Sequence, residues 1–258
     1  MDMYQPIGVF DSGLGGVSVL RAVRATLPYE DFIYYGDSVN APYGTRPEKE
    51  ILALSMAAIS ALVQQGVKAV VIACNTVTSV AAPALRAQYP QTIIVATEPA
   101  VKPAAADSPQ GRIVVMATPA TLQGERFHHL MGRFQGEAVV IPCPCPGLME
   151  FVERGETHSE RLRHYLEERF RAVGAEKPDS VVLGCTHYPF VQGMIQEVAG
   201  PQAKIFDGAS GIARQLKQRL AMAHLLSDKT EPGEIVWQNS SPNPELIAIG
   251  KRLLEMGE

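Results

Sequence analysis

Short apolar runs alternate with amphipathic stretches along most of the chain. The runs are rich in Val and Ile and end in small or polar residues; they lie at 7–10, 32–35, 70–72, 113–117 and 181–183. Such runs are typical of strands buried on both faces of a parallel sheet. Because the intervening apolar residues recur at helical spacing, the pattern predicts an α/β fold with mostly parallel sheets. Ligands of such folds bind at the carboxyl ends of the strands.

Local signals place two helix starts. Thr45 and Glu48 have the spacing of a capping box, which predicts that a helix opens there. A second helix is predicted after Asn75. Pro83 is expected to kink or restart that helix, because proline lacks a backbone donor.

Two of the predicted strands end in cysteine. Cys74 is followed by Asn75 and Thr76, and Cys185 is followed by Thr186 and His187. A strand places positions i and i+2 on one face, so His187 is expected to lie beside the Cys185 thiol. For each cysteine alone, the simpler interpretation is a small buried residue. Their matched positions favour a functional role for both.

The spacing of these landmarks indicates two related halves. The distance along the chain from Asp11 to Cys74 is nearly equal to that from Thr118 to Cys185, and each pair marks two strand ends. A Pro- and Gly-rich stretch at 98–111 separates the two pairs, as expected where a chain crosses between domains. We therefore predict an internal structural repeat.

Length, charge and apolar content narrow the class of protein. A chain of 258 residues can form one large domain or two ordinary ones. The net charge of −4 and the lack of any Lys/Arg run argue against a nucleic-acid partner. No apolar stretch approaches the roughly 18 residues of a membrane helix, and no signal-like segment opens the chain. A cytoplasmic enzyme without a membrane partner is expected.

The cysteine content argues against a metal centre. The chain has four cysteines, and only Cys143 and Cys145 are close together. One intervening residue is fewer than the two to four usual in zinc sites. We expect no structural metal, and we expect these two thiols to be structural.

Asp11 and Ser12 open a glycine-rich turn between the first strand and the first helix. The turn lacks the spacing of a dinucleotide fingerprint and has no Walker-type lysine. Amides at the start of a helix bind anions, and a substrate carboxylate suits them as well as a phosphate.

Two kinds of thiol chemistry fit the cysteines. A hydrolase would use Cys185 as nucleophile and His187 as base, but Cys74 would then have no catalytic role. A racemase needs one group to remove a proton from one face of a stereocentre and another to return a proton to the opposite face. A thiol pKa of about 8.5 makes both thiol and thiolate accessible near neutral pH. Asp11 and His187 are the candidate acid–base neighbours of Cys74 and Cys185.

Six motifs follow one another along the chain: Phe10-Asp11-Ser12-Gly13-Leu14-Gly15-Gly16, Tyr34-Tyr35-Gly36-Asp37, Pro42-Tyr43-Gly44, Ala73-Cys74-Asn75-Thr76, Glu98-Pro99-Ala100-Val101-Lys102-Pro103-Ala104 and Gly184-Cys185-Thr186-His187-Tyr188-Pro189. In combination they resemble glutamate racemase, of the aspartate/glutamate racemase superfamily. The match ends near Gly211, and the tail beyond it carries no motif.

The resemblance implies a cofactor-independent, two-base racemase that interconverts L- and D-glutamate and supplies D-glutamate for peptidoglycan. It also implies two α/β domains in a pseudo-twofold relation, with the active site in the cleft between them. Residues 1–97 and 209–258 would form the first domain, and residues 98–208 the second. A homodimer in the cytoplasm is expected.

The resemblance also assigns residues. Cys74 would act on the D-enantiomer and Cys185 on the L-enantiomer, with Asp11, His187 and Glu153 as auxiliary groups. Relatives often carry Pro where this chain has Glu150, and register favours Glu153 as the functional carboxylate. The substrate would be held by the following residues: Asp11, Ser12, Pro42, Tyr43, Gly44, Asn75, Thr76, Thr118, Thr121, Thr186 and His187.

Two alternatives remain at this point. An aspartate or hydantoin racemase would use the same thiols with different binding groups. A non-catalytic binder of amino acids would keep the cleft without the reaction. A pyridoxal phosphate enzyme would need a Schiff-base lysine, but the Pro-flanked setting of Lys102 and the paired cysteines argue against it.

Overall fold

A computed structural model of the chain describes residues 2–174 and 177–256. These residues form two compact units. The first comprises the chain up to Thr97 and from Ala209 onward, and the second comprises Glu98–Gly208.

Nine strands are present in the described residues. They are β1 (Ile7–Asp11), β2 (Phe32–Gly36), β3 (Ala69–Ile72), β4 (Ile93–Ala96), β5 (Arg112–Ala117), β6 (Val139–Pro144), β7 (Ser180–Gly184), β8 (Lys204–Asp207) and β9 (Ile235–Asn239). The first unit holds one sheet in the order β4-β3-β1-β2-β9, and the second holds one in the order β6-β5-β7-β8. Every pair of neighbouring strands is parallel. The predicted α/β fold with parallel sheets is confirmed.

Helices connect the strands. They are α1 (Val17–Thr26), α2 (Glu48–Gln64), α3 (Asn75–Gln88), α4 (Val101–Asp107), α5 (Pro119–Gln123), α6 (Glu125–Arg133), α7 (Leu148–Glu153), α8 (Glu160–Ala172), α9 (Gln192–Ala199), α10 (Ala209–Met222) and α11 (Pro244–Glu255). Among the described residues, none of these helices is both long and apolar enough to cross a membrane.

The two units share a strand order. In each, the first strand lies between the second and the third, and the fourth lies beside the third. By this order β1 corresponds to β5, and β3 corresponds to β7. Cys74 and Cys185 therefore follow corresponding strands, which is the arrangement expected of an internal repeat.

The central strands of the second sheet, β5 and β7, are buried on both faces, which explains why they read as continuous apolar runs. Val114 and Met116 of β5 pack into one hydrophobic cluster with residues of α7, α8 and α9. Ile113 and Val115 of the same strand pack into another cluster with residues of α4 and α6. This alternation follows the two-residue period of a strand.

The predicted capping box at Thr45 is wrong. Thr45 lies in a 3-10 turn (Tyr43–Thr45), and the N-cap of α2 is Pro47, with no side-chain cap. The cause is Pro47, because proline disfavours helical conformation in the residue before it. Arg46 is accordingly extended, with φ −85° and ψ 155°.

The predicted restart at Pro83 is not present, because α3 is one helix from Asn75 to Gln88 with Pro83 inside it. Proline removes one backbone hydrogen bond from a helix. Burial of Ala81, Ala82 and Leu85 beside it offsets that loss.

A buried ion pair joins the starts of two strands in the first unit. Lys68 Nζ lies 2.5 Å from Glu30 Oε2, and the two side chains are 0% and 3% exposed. Lys68 also donates to the carbonyl of Met3, and Glu30 Oε1 accepts a 2.9 Å hydrogen bond from the backbone N–H of Ser227. The pair thus links the beginning of the chain to the segment that precedes β9.

Lys68→Ala should destabilise the first unit strongly, because it leaves the Glu30 carboxylate buried without its cation. We expect a loss of about 3–5 kcal/mol in the free energy of unfolding. Urea unfolding followed by the fluorescence of Trp237, the only tryptophan, measures this unit directly. The control is Lys229→Ala, which breaks the solvent-screened pair with Asp31 and should cost far less. Equal losses in the two variants would contradict the prediction.

Candidate active site

The first unit places a buried carboxylate at the end of β1. Asp11 is fully buried, and its Oδ2 accepts a 3.0 Å hydrogen bond from the N–H of Gly13. A Cβ on Gly16 would lie 2.5 Å from the Asp11 Cβ, so only glycine lets the chain turn this closely into α1. The turn brings Ser12 to the carboxyl end of the sheet.

The Cys74 thiol lies against Ser12. Cys74 is the N-cap of α3, directly beyond β3, and its Sγ is 3.3 Å from the Ser12 Oγ. The next two residues, Asn75 and Thr76, are buried in the first turn of α3. The buried Asn75 Oδ1 receives no hydrogen bond from the described residues. An unmatched buried acceptor is costly, so this atom is suited to a donor from a ligand.

Tyr43 is fixed by a second buried carboxylate. Its hydroxyl donates to Asp37 Oδ2 at 2.6 Å, and the Asn40 amide donates to both oxygens of Asp37 at 3.1 and 3.0 Å. Burial raises the pKa of Tyr43 well above its usual value, and Asp37 and Cys74 raise that pKa further. Tyr43 is therefore a neutral phenol, and Asp37 supports its loop. Pro42 and Gly44 flank Tyr43 on this loop.

The second unit brings three predicted groups together. Cys185 Sγ is 3.8 Å from His187 Nδ1, and His187 Nε2 is 3.1 Å from Glu153 Oε1. His187 is 2% exposed, whereas the Glu153 side chain is 33% exposed. Glu153 is the last residue of α7, and Cys185 follows β7 directly. The structure thus places Glu153 against the imidazole.

The spacing of Cys185 and His187 predicts that both lie on one face of a strand, and this prediction is wrong. β7 ends at Gly184, and His187 has helical backbone angles (φ −78°, ψ −28°) before a 3-10 turn (Tyr188–Val191). The contact is made by this turn. Gly184 permits the tight exit, since a Cβ there would lie 2.8 Å from the carbonyl oxygen of Met116.

The order of these contacts indicates a proton route. With Nε2–H donating to the Glu153 carboxylate, the Nδ1 of a neutral His187 faces the thiol and can accept its proton. The same imidazole, once protonated, can stabilise the thiolate of Cys185.

The three threonines lie at the same carboxyl end of the second sheet. Thr118 caps α5: its Oγ1 accepts a 3.2 Å hydrogen bond from the N–H of Thr121. The two hydroxyl oxygens are 2.9 Å apart. Thr186, which lies between Cys185 and His187 in the sequence, is buried.

Cys143 and Cys145 are buried in the core of the second unit, in the hydrophobic cluster against which Cys185 packs. Their sulfur atoms are 3.9 Å apart, and the hydrogen bond between them raises the pKa of Cys145, with burial adding to the effect. In the parts of the chain that the structure describes, no cluster of three or more His, Cys, Asp or Glu residues is arranged to hold a metal ion.

Comparison with known proteins decides the family. Residues 7–216 match the family described as Asp/Glu/Hydantoin racemase. The glutamate racemase of Clostridium perfringens is 45% identical over 251 residues, which cover 97% of this chain and 96% of that protein. This chain belongs to that family, among the glutamate racemases. It is therefore an enzyme, an amino-acid racemase, and the prediction of its family is confirmed.

Solved structures of other glutamate racemases share the fold of this racemase. The Francisella tularensis enzyme in complex with D-glutamate has a TM-score of 0.85 and 25% identity, covering 98% of this chain and 94% of that one. The Escherichia coli enzyme in complex with L-glutamate and the activator UDP-MurNAc-ala has a TM-score of 0.83 and 29% identity, covering 97% and 95%.

One strand of the racemase near Asp37, formed by the tail, was not predicted from the sequence. The tail forms β9, which pairs in parallel with β2 and ends beside the loop that carries Asp37. The signal was the apolar run Ile235-Val236-Trp237 before Gln238 and Asn239. The run is short, and only its pairing with β2 makes it a strand.

Tyr43→Phe should weaken the first unit in a pH-dependent way, because it removes one donor from the buried carboxylate of Asp37. We expect a loss of about 1–3 kcal/mol in the free energy of unfolding at neutral pH. The pKa of Tyr43 is higher when folded than its unfolded value of about 10. The contribution of the hydroxyl is therefore complete below about pH 10 and is lost as the pH rises toward the folded pKa.

The measurement is urea unfolding of wild type and Tyr43→Phe from pH 7 to 11. Their difference should shrink above about pH 10, by at most about 1.4 kcal/mol per pH unit. A difference that stayed constant to pH 11 would contradict the assigned contact.

Proposed function

We propose that this racemase interconverts L- and D-glutamate by a two-base mechanism in which Cys74 and Cys185 exchange protons with Cα. One observation carries the proposal. The two thiols follow corresponding strands of two units with the same strand order, and each has a polar partner within 4 Å. A single-nucleophile mechanism would give no reason for this duplication.

The chemistry requires one thiolate and one thiol. The thiolate takes the Cα proton of glutamate from one face, and the C–H electron pair stays on the substrate as a carbanion. The opposite thiol then gives its proton to Cα on the other face and becomes the thiolate. No electrons are gained or lost, and no cofactor is required. The roles of the two sulfurs reverse with the direction of reaction, with Cys74 acting as base toward D-glutamate and Cys185 toward L-glutamate.

The two thiols have different helpers in this proposal. On the side of Cys185, the Glu153–His187 pair accepts or returns the thiol proton. On the side of Cys74, the hydroxyl of Ser12 is close enough to donate to the thiolate, and Asp11 is the candidate acid–base group. Hydrogen bonds to the charged form of an acid favour that form.

Polar groups near the thiols are suited to bind the ammonium and the two carboxylates of glutamate. The Asn75 Oδ1 suits the substrate ammonium, because it is buried without a donor. Hydroxyl and backbone N–H donors suit the two carboxylates. We assign this donation to the following residues: Ser12, Tyr43, Gly44, Thr76, Thr118, Thr121, Thr186 and His187. Pro42 has no N–H to donate, and its role would be to fix the backbone before Tyr43. Glutamate itself is supported by the complexes of two relatives, one with D-glutamate and one with L-glutamate.

The family resemblance supports the remaining elements of the proposal. The enzyme would supply D-glutamate for peptidoglycan in the cytoplasm, as a homodimer. Residues 1–97 and 209–258 would be the domain of Cys74, and residues 98–208 the domain of Cys185.

Purified enzyme should exchange the Cα proton of glutamate in D₂O without any added cofactor. Starting from L-glutamate, the circular dichroism signal should decay to zero while deuterium appears at Cα. Binding without exchange would point to a non-catalytic binder. Exchange of aspartate or a hydantoin, but not of glutamate, would reassign the substrate.

Cys74→Ala and Cys185→Ala should each reduce racemisation from both enantiomers by at least about 10²–10⁴-fold, because either direction needs one base and one acid. Cys143→Ala is the matched control: it removes a buried thiol outside the candidate site and should keep wild-type turnover. Near-normal racemisation in either of the first two variants would overturn the two-base assignment.

Glu153→Gln should lower kcat/KM by about tenfold or more, because it removes the charge that faces His187. Enantiomers have equal free energies, so kcat/KM must fall by the same factor in both directions. Glu150→Gln is the control. Among the described contacts, the Glu150 carboxylate does not touch His187, so the activity of this variant should stay near that of wild type. The opposite ranking of the two variants would make Glu150 the functional carboxylate.

A further inference from the structure

The tail of the chain is bonded to the loop that follows β2. Ser240 comes directly after β9, and its Oγ accepts a 3.0 Å hydrogen bond from the N–H of Val39. The N–H of Ser240 donates to the carbonyl of Gly36 at 3.0 Å. One residue earlier, Asn239 Nδ2 donates to the Ser38 Oγ at 2.8 Å. Gly36 at the end of β2 and Ser38 and Val39 of the loop are thus held by two residues of the tail.

The held loop is the one that fixes Tyr43. Asp37 receives the hydroxyl of Tyr43 and the amide of Asn40, and Arg46 Nε donates to the carbonyl of Asn40 at 2.7 Å. The backbone N–H of Asp37 also donates to the carbonyl of Asp11 at 3.0 Å. A shift of this loop would therefore move Tyr43 and disturb the end of β1.

Close packing at Gly36 limits how the loop can adjust. A Cβ on Gly36 would lie 2.5 Å from the carbonyl oxygen of Gly13 and 3.2 Å from the Asn239 Nδ2. The tail, the β2 loop and the glycine turn after Asp11 thus meet at one point. The hydroxyl of Tyr34 donates to the same Gly13 carbonyl at 2.9 Å, and the Trp237 ring packs 5.3 Å from the Tyr34 ring.

We propose that Ser240 and Asn239 are positioning residues for racemisation. They hold residues 36–39 in place and, through Asp37, fix the Tyr43–Gly44 segment where it binds substrate. Neither residue needs to touch the reacting atoms. The inference rests on the proposed function and extends it to a tail in which no motif is visible.

The test compares Ser240→Ala with Ser240→Thr and Ser241→Ala. The first variant removes the acceptor for Val39, and the second restores a hydroxyl. The third is the matched control. Among the described contacts, the Ser241 Oγ accepts a hydrogen bond only from the N–H of Asn243, which lies within the tail itself. Steady-state kinetics from L- and D-glutamate, thermal unfolding, and hydrogen exchange at the Val39 amide are measured for each.

Ser240→Ala should raise KM for both enantiomers by about three- to tenfold, the effect of one lost hydrogen bond, with a smaller change in kcat. Its Val39 amide should exchange faster, while its unfolding midpoint stays close to that of Ser241→Ala. Ser240→Thr should return both KM and exchange toward wild type. Asn239→Ala, which releases Ser38, should change KM in the same direction and gives a second variant if Ser240→Ala folds poorly.

Two results would overturn the positioning role. Faster exchange at Val39 with unchanged KM would mean that the loop can be released without effect on the substrate. Unchanged exchange would mean that the Ser240 bond does not hold the loop. A failure of the proposed function looks different, because wild type and Ser241→Ala would then also fail to racemise glutamate.

Discussion

A parallel strand that is buried on both faces has no room for polar side chains along its length. Polar groups of such a strand can reach a ligand only where the strand ends, and helices that start there add free N–H groups. β1, β3 and β7 are all buried throughout. Asp11 is the last residue of β1, and Cys74 and Cys185 lie just beyond β3 and β7. The packing of the sheets thus leaves these three polar side chains at strand ends.

The same constraint explains the glycines. A chain that leaves a buried strand and enters a helix must turn beside its neighbours. Gly16 and Gly184 occupy points where a Cβ would lie within 3 Å of Asp11 and of Met116, respectively. These glycines allow the close turns beside Ser12 and Cys185. The thiols depend on backbone packing as much as on their polar partners.

The parts of the fold that rest on local pattern could be predicted from the sequence. Buried strands and their polar ends follow from composition and spacing, and so do the paired cysteines. Elements decided by tertiary contacts could not be predicted in this way. β9 becomes a strand only by pairing with β2, α3 tolerates Pro83 because its face is buried, and the turn at His187 replaced the expected strand geometry. Register favours Glu153 over Glu150, but the contact of Glu153 with His187 joins two elements and is visible only in the structure.

The two units repeat a topology but do not repeat their chemistry. Cys185 faces an imidazole that is backed by a carboxylate, whereas Cys74 faces a hydroxyl. For a racemase this asymmetry has a limited consequence, because the equal free energies of the enantiomers force kcat/KM to be equal in both directions. Different partners can change the common value of kcat/KM, the separate kcat and KM values in each direction, and the protonation state that the free enzyme prefers. They cannot make the two kcat/KM values unequal. The tail adds a further difference, since β9 and its bonds to the β2 loop have no counterpart among the four strands of the second sheet. Support of an active-site loop by a strand of the tail is therefore a feature of the Cys74 unit and not of the Cys185 unit.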